Sequence, residues 1–333
     1  MDPFPLTLHR HIFQEHEAEM TPGEFSRLMG RIALAGKIIS RDLSRASLED
    51  LLGKTGTTNI QGEAVEKLDQ RANAVFVRAM ADAGGLVKAV VSEEMEQPWE
   101  YADGGAPETQ YALFLDPLDG SSNLDANMTV GSIFSVHRIR GGSDWQPQLL
   151  KRGTEQVAAG YVLYGPSTTL VYTAGAGIHQ FTLDPSTGEF VLARSRFQMP
   201  AKGKVYSVNE GNYNKWDRRT QRFTEWFREK DPPTGRPYST RYSGCLVADV
   251  HRLLTSGGIY FYPAEAGKNE GKLRLMYEGA PLAFVLEQAG GRASTGTARI
   301  LDVHPTAVHQ RTALFIGSRE EVALAEEFIQ GKR

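Results

Sequence analysis

One cysteine, Cys245, occurs in 333 residues, so no disulfide can close within the chain and thiol–disulfide control between its own residues is excluded. Excess charge is equally scarce. The 37 basic and 40 acidic side chains leave a formal charge of −3, which gives no electrostatic case for nucleic acid or an anionic membrane. No stretch approaches the roughly 18 consecutive apolar residues of a membrane span. The opening MDPFPLTLHRHIFQEHEAEM lacks the basic start and apolar centre of a secretion signal and reads as a surface arm. A cytoplasmic protein is the simplest expectation. The nucleotide loop Gly-x-x-x-x-Gly-Lys-Ser/Thr and the kinase glycine loop are absent, which weighs against a nucleotide-driven transferase. What is present is ordinary for a globular chain: 41% hydrophobic and 9% aromatic residues, enough to build real cores over two domains or one large one.

A helix is expected from Thr21, which caps it, with Pro22 in the first turn and Glu24 completing a Thr-x-x-Glu capping box. Phe25, Leu28, Met29, Ile32, Ile39 and Leu43 keep helical spacing. The polar stretch GKTGTTNIQGE (53–63) has the composition of a mobile loop, and Val65, Leu68, Ala72, Val75, Phe76 and Met80 mark a second helix. Strands are expected at LVKAVVS (86–92), YALFLD (111–116), SIFSVHRI (132–139), VAAGYVLYG and LVYTAG. A hairpin follows in HQFTLDPSTGEFVLA, turning at Pro185 to Gly188. Past residue 201 a strand VYSVNEG leads to a polar helix around 214–230. Further helices are expected in CLVADVHRLLT and APLAFVLEQAGG, and strands at GIYFYPA and TALFIG. Ser318 and Glu321 open the last helix as a second capping box. The fold class is α/β in mixed layers, with more antiparallel hairpins than a doubly wound sheet has, divided into 1–200 and 201–333.

The stretch ALFLDPLDGSSNLD (112–125) carries the chemistry. Asp116 closes an apolar run, Pro117 fixes the backbone, and Asp119 returns on the same turn. Gly120 lets the chain pass close to whatever lies in front, and Ser121 and Ser122 offer hydroxyls and successive N–H groups suited to a phosphate. Glu93 and Glu94 end another apolar strand in VVSEEMEQP. If the two strands are neighbours, four carboxylates converge, and such charges cannot all ionise in a desolvated cleft unless cations neutralise them. All-oxygen donors favour magnesium or manganese. A D-x-x-D-G turn alone is more often a capped surface turn; the two acidic strand ends together, followed by GSS, favour metal-assisted chemistry on a phosphate.

At these residues the chain resembles the class I fructose-1,6-bisphosphatase family, within the lithium-sensitive sugar and inositol phosphatase superfamily. The markers GEAVEKLD, VSEE, FLDPLDGSSN, VGSIFSV, NEG, RYSG, VADVHR, YPA, GKLRLMYE and AGG run from about residue 8 to residue 329. The resemblance implies the layered sugar-phosphatase fold with two subdomains: an N-terminal one bearing an AMP-site-like region, the mobile loop and the metal-binding turn, and a C-terminal one binding the sugar phosphate. It implies hydrolysis of the 1-phosphate of fructose 1,6-bisphosphate by metal-activated water, in gluconeogenesis or the Calvin cycle. Two or more Mg2+ ions, or Mn2+, would be held by Glu93, Asp116, Asp119, Glu278 and the Leu118 carbonyl. Glu94, Asp69 and Glu63 would position and deprotonate the water, with Glu63 standing where the family usually has aspartate. Asp119, Gly120, Ser121 and Ser122 would hold the 1-phosphate end. Asn209, Tyr242, Tyr260, Tyr262 and Lys272 would bind the sugar and 6-phosphate, Arg274 would add positive charge, and Arg241 would reach in from a neighbouring subunit.

The resemblance further implies a homotetramer and an AMP site at Gly23, Glu24, Tyr111 and Arg138. Pro22 and Gln110 replace a hydroxyl and a lysine there, so weak or altered AMP inhibition is expected. Alternatives are a sedoheptulose-1,7-bisphosphatase, a dual-specificity or broader sugar phosphatase and, from another class, an inactive sugar-phosphate sensor. Asp119→Ala is expected to abolish activity and leave the fold intact, since it removes a ligand rather than a core group.

Overall fold

The computed structural model describes residues 5–15, 20–58, 64–102, 109–140, 144–268 and 270–333. The first half runs α1 (Leu8–Glu15), α2 (Pro22–Arg45), β1 (Lys54–Thr58), β2 (Ala64–Glu66), α3 (Lys67–Ala81), β3 (Val87–Ser92), β4 (Trp99–Glu100), β5 (Thr109–Asp119), β6 (Val130–Arg140), β7 (Gln156–Tyr164), β8 (Thr168–Thr173), β9 (His179–Asp184) and β10 (Glu189–Ser195). Eight of these strands form one sheet in the order β10-β9-β8-β7-β6-β5-β3-β4. Every neighbouring pair is antiparallel except β3 and β5, which run parallel.

The second half runs β11 (Val205–Ser207), α4 (Arg218–Arg228), β12 (Ser239–Thr240), α5 (Leu246–Ser256), β13 (Ile259–Tyr262), β14 (Leu273–Arg274), α6 (Ala280–Gln288), β15 (Arg292–Ser294), β16 (Arg311–Thr312), β17 (Leu314–Gly317) and α7 (Arg319–Ile329). Its five-stranded sheet has the order β12-β11-β13-β17-β15.

Alternating side chains assign each sheet two apolar faces. Val130, Phe134 and Val136 of β6 pack with Leu28, Ile32 and Phe76 of α2 and α3. Ile133, with Ala159 and Tyr161 of β7, packs instead on Val247, Val250 and Leu286 of α5 and α6. Leu314 and Ile316 of β17 reach the same α5–α6 layer from the other side, whereas Phe315 meets Phe223, Phe227 and Phe328 of α4 and α7. The layers are therefore helix, sheet, helix, sheet, helix, and α5–α6 is the layer both halves share.

Three local expectations need correction. Residues 54–58, expected to be loop, form β1 against β2. The supposed N-terminal arm includes α1, which buries Leu8, His11 and Ile12, while the Leu192 N–H donates to the Leu6 carbonyl. Thr21 and Glu24 do form the capping box on α2. The same pattern at Ser318 does not, because Ser318 Oγ donates to the Pro200 carbonyl and accepts from Gly258 N–H. Glu321 instead accepts from Gly203 N–H and the Tyr238 hydroxyl. Tertiary partners there outcompete a local cap.

Candidate active site

Strands β3 and β5 are direct neighbours with Ser92 opposite Leu115, so their acidic ends leave the sheet side by side. Glu93 N–H continues the ladder to the Leu115 carbonyl at 3.1 Å. Between Asp116 and Asp119 the register against β6 shifts, with Asp116 opposite Ile133 and Asp119 opposite Gly131. This extra residue is a bulge that re-aims the following side chains. The turn is held by Leu118 N–H donating to Asp116 Oδ1 at 3.1 Å and by Ser132 Oγ donating to the Pro117 carbonyl at 2.8 Å.

Gly120 has φ +77°, and a Cβ there would lie 2.7 Å from Cys245 Cβ. No other residue type fits that approach without moving the start of α5. The contact brings Asp119 onto the N-terminus of α5: its carboxylate accepts from Leu246 N–H at 3.1 Å, Val247 N–H at 2.7 Å and the Cys245 thiol at 3.0 Å. Glu278 sits in a single π-turn, Leu275–Gly279, and accepts from Arg274 N–H at 2.5 Å. The buried Arg274 guanidinium pairs with Glu93 at 3.0 Å.

These segments enclose a cleft of about 630 Å³. It is lined by Asp69, Glu93, Glu94, Asp116, Leu118, Asp119 and Glu278, together with Gly120, Ser121 and Ser122. Asn209, Tyr242, Tyr260, Tyr262 and Lys272 also line it. Burial raises the Asp116 carboxyl well above the ordinary carboxylate range, and Glu93, Asp119, Glu278 and Glu94 push it the same way. Glu278 is raised by burial and by Glu93, against the opposing pull of Arg274. Asp119 is raised by burial although its three donors oppose the shift. Burial also pushes the Tyr242 phenol up to about 12 and raises that of Tyr260, so both stay neutral and able to donate a hydrogen bond.

The donor set is all hard oxygen, four carboxylates and the Leu118 carbonyl, and their mutual repulsion is the condition a divalent cation relieves. These residues fit such an ion by type. They are gathered without being preassembled: among the described residues no group of three or more Asp, Glu, His or Cys side chains stands in a metal-binding arrangement. Asp119 is turned to α5, and Glu278 and Glu93 to Arg274.

Other expected residues fall elsewhere. Arg241 does not line this cleft; its Nη1 donates to the Thr240 carbonyl at 2.8 Å on an exposed edge. Glu63 lies outside the described residues. Gly23 and Glu24 are in the first turn of α2, where the Glu24 carboxylate accepts from Thr21, and Tyr111 pairs with Arg138 across β5 and β6. Sequence reasoning missed Lys54, Glu66 and Asp125, which also line the cleft, and the thiol bond of Cys245. Glu66 is 7% exposed, and its backbone N–H donates to Asp69 at 3.0 Å; its only signal was a place three residues before Asp69. A larger recess of about 960 Å³ adjoins, lined by residues such as Ser40, Asn123, Met128 and Arg252. Of the cleft's carboxylates it shares only Asp125, so the chemistry belongs to the smaller cleft.

Comparison with known proteins gives consistent matches. The profile of the fructose-1-6-bisphosphatase N-terminal domain matches residues 6–195, and that of the C-terminal domain matches 199–330. A class 1 fructose-1,6-bisphosphatase of Trichodesmium erythraeum is 51% identical over 98% of this chain and 91% of that protein. One from Thermosynechococcus vestitus is 52% identical over 98% and 92%. The crystal structure of Leishmania major fructose-1,6-bisphosphatase in holo form superposes with a TM-score of 0.90 at 40% identity, covering 98% of this chain and 100% of that one.

Proposed function

The chain belongs to the fructose-1,6-bisphosphatase family, and from that membership we propose that its cleft hydrolyses fructose 1,6-bisphosphate to fructose 6-phosphate and inorganic phosphate. One observation supports the assignment of residues: a single cleft is lined both by crowded carboxylates and by tyrosines, an asparagine and a lysine able to grip a second phosphate.

The family is metal-dependent, and Glu93, Asp116, Asp119, Glu278 and the Leu118 carbonyl are the residues of this chain that would hold Mg2+ or Mn2+. Such ions, when bound, offset the carboxylate charge, polarise the phosphoryl oxygens and lower the pKa of water. The protein's own groups do the remainder. Ser121 and Ser122 present hydroxyls and N–H groups to the 1-phosphate, at the start of the 3-10 turn Ser121–Ala126. Glu94 and Asp69 orient the attacking water, and a Glu94 carboxylate oxygen takes its proton. At the other end Asn209, Tyr242 and Tyr262 donate to the 6-phosphate and Lys272 adds a charge, so binding energy far from the reacting phosphorus fixes its alignment. Arg241, exposed and outside the cleft of its own chain, is assigned to the cleft of a neighbouring copy in a homotetramer.

Phosphate release from fructose 1,6-bisphosphate, sedoheptulose 1,7-bisphosphate and inositol phosphate, each with and without magnesium, tests the reading. Rapid magnesium-dependent turnover of the fructose ester is expected; release confined to another ester, or indifferent to the metal, would reject it.

The raised carboxyls give a second expectation. Asp116 and Glu278 bind protons more tightly folded than unfolded. The stability they contribute is fully present below their unfolded pKa of about 4 and is lost as pH rises through the raised folded values. Metal-free protein is therefore strained by these groups at neutral and higher pH, where a cation relieves most. Magnesium should raise Tm more at pH 8 than at pH 6 in calorimetric scans, and an equal or reversed shift would count against this site.

A further inference from the structure

His309 does not line the cleft, but it joins the two segments that carry the cleft's acidic side chains. It directly precedes Gln310, whose carbonyl accepts from Leu275 N–H at 2.8 Å, and β16, which pairs Thr312 with Leu273 and Arg311 with Arg274. Its chain is thus fixed under the segment leading to Glu278. From there the imidazole reaches both ways. Nδ1 stands 3.1 Å from the Tyr277 hydroxyl, and Nε2 stands 3.2 Å from the Glu96 carbonyl. A carbonyl only accepts, so Nε2 carries a proton, and in the neutral ring Nδ1 accepts from the Tyr277 O–H.

Both partners matter by position. Tyr277 is fully buried, packed with Phe114 and Met276, and precedes Glu278 in the π-turn. Glu96 lies at the far side of the turn begun by Glu93 and Glu94, which is only partly buried. That turn leaves the end of β3 beside the like charges of Asp116 and Glu278, and the Glu93 contact with Arg274 at 3.0 Å holds its near side. The imidazole ties its far side, through the Glu96 carbonyl, to the buried Tyr277 hydroxyl.

We propose that His309 is a positioning residue: the bridge from Tyr277 to Glu96 sets the separation between the Glu93–Glu94 turn and the turn holding Glu278. The inference rests on the function assigned to the cleft above. Its consequence is specific to the acidic end, because the bridge touches neither the tyrosines nor Lys272 that line the other.

The test uses the full chain with His309→Ala, Tyr277→Phe and both together, measuring magnesium binding by isothermal titration calorimetry alongside the kinetics. His309→Ala should weaken magnesium about tenfold, while KM for the bisphosphate at saturating metal stays within about twofold. Tyr277→Phe, which keeps the ring and removes only the hydroxyl, should weaken it in the same direction. The double variant should be no weaker than His309→Ala alone, since the hydroxyl then has no imidazole to lose. Unchanged magnesium constants with only a lower Tm, an altered KM as the main effect, or additive losses in the double variant overturn the proposal. If His309→Ala fails to fold, Tyr277→Phe decides by the same constant. Wild-type protein that releases no phosphate from the bisphosphate rejects the functional reading instead, a result the calorimetric comparison does not share.

Discussion

Asp119→Asn is expected to lower phosphate release by about a thousandfold, some 4 kcal/mol of transition-state stabilisation, while secondary structure is kept and Tm falls less than in Asp119→Ala. Asparagine is nearly isosteric and keeps one acceptor oxygen for the α5 donors, which bond to both oxygens of the aspartate; its NH2 strands the donor facing the other position, and it removes the negative charge that a divalent cation requires. Asp119→Ala is a poorer experiment than sequence reasoning suggested. The carboxylate is the common acceptor for Leu246 N–H, Val247 N–H and the Cys245 thiol, and stranding buried donors costs about 1–3 kcal/mol. That variant should lose both activity and several degrees of Tm. Wild-type turnover in Asp119→Asn, checked by phosphate release at saturating magnesium, would remove Asp119 from the ligand set.

Glu94→Gln should depress kcat by about 10²–10⁴-fold, the usual range for loss of a positioned acid or base, with KM within about twofold. Glu94 lines the acidic end of the cleft, and its N–H donates to Ser92 Oγ at 3.3 Å, so the backbone that presents it does not depend on the side-chain charge. Glutamine holds a water but cannot take its proton, so the defect belongs to the transition state. A fall in affinity as large as the fall in kcat would identify Glu94 as a binding group instead.

How far such roles are legible in sequence depends on whether the signal is local. Asp116 to Ser122 is readable because a strand end, a proline and a glycine in seven residues define one turn, and the parallel pairing of β3 with β5 then supplies its partner Glu93. The strand and helix pattern was legible for the same reason: Ile133 and Phe134 alternate between two cores as periodicity requires. Glu278 carries no such signal, since a π-turn has no signature in composition; only the family resemblance pointed to it. Arg274 and Cys245 act on carboxylates by contacts that sequence distance hides: Cys245 and Asp119 are 126 positions apart. The Ser318–Glu321 pattern shows the converse. Identical local grammar to Thr21–Glu24 gave no cap, because Pro200, Gly258 and Tyr238 offered better partners.

The close passage of Gly120 across Cys245 sets a mechanical condition on turnover. The turn proposed to hold the metal lies at the seam between the molecule's two halves, and the α5 amides that steady Asp119 belong to the opposite half from the strand that carries it. A small shear along that seam would pull the acid from its amides and tilt one phosphate pocket relative to the other, with each half still folded. On the function proposed above, rotation of one half against the other is expected to slow turnover without anything entering the cleft.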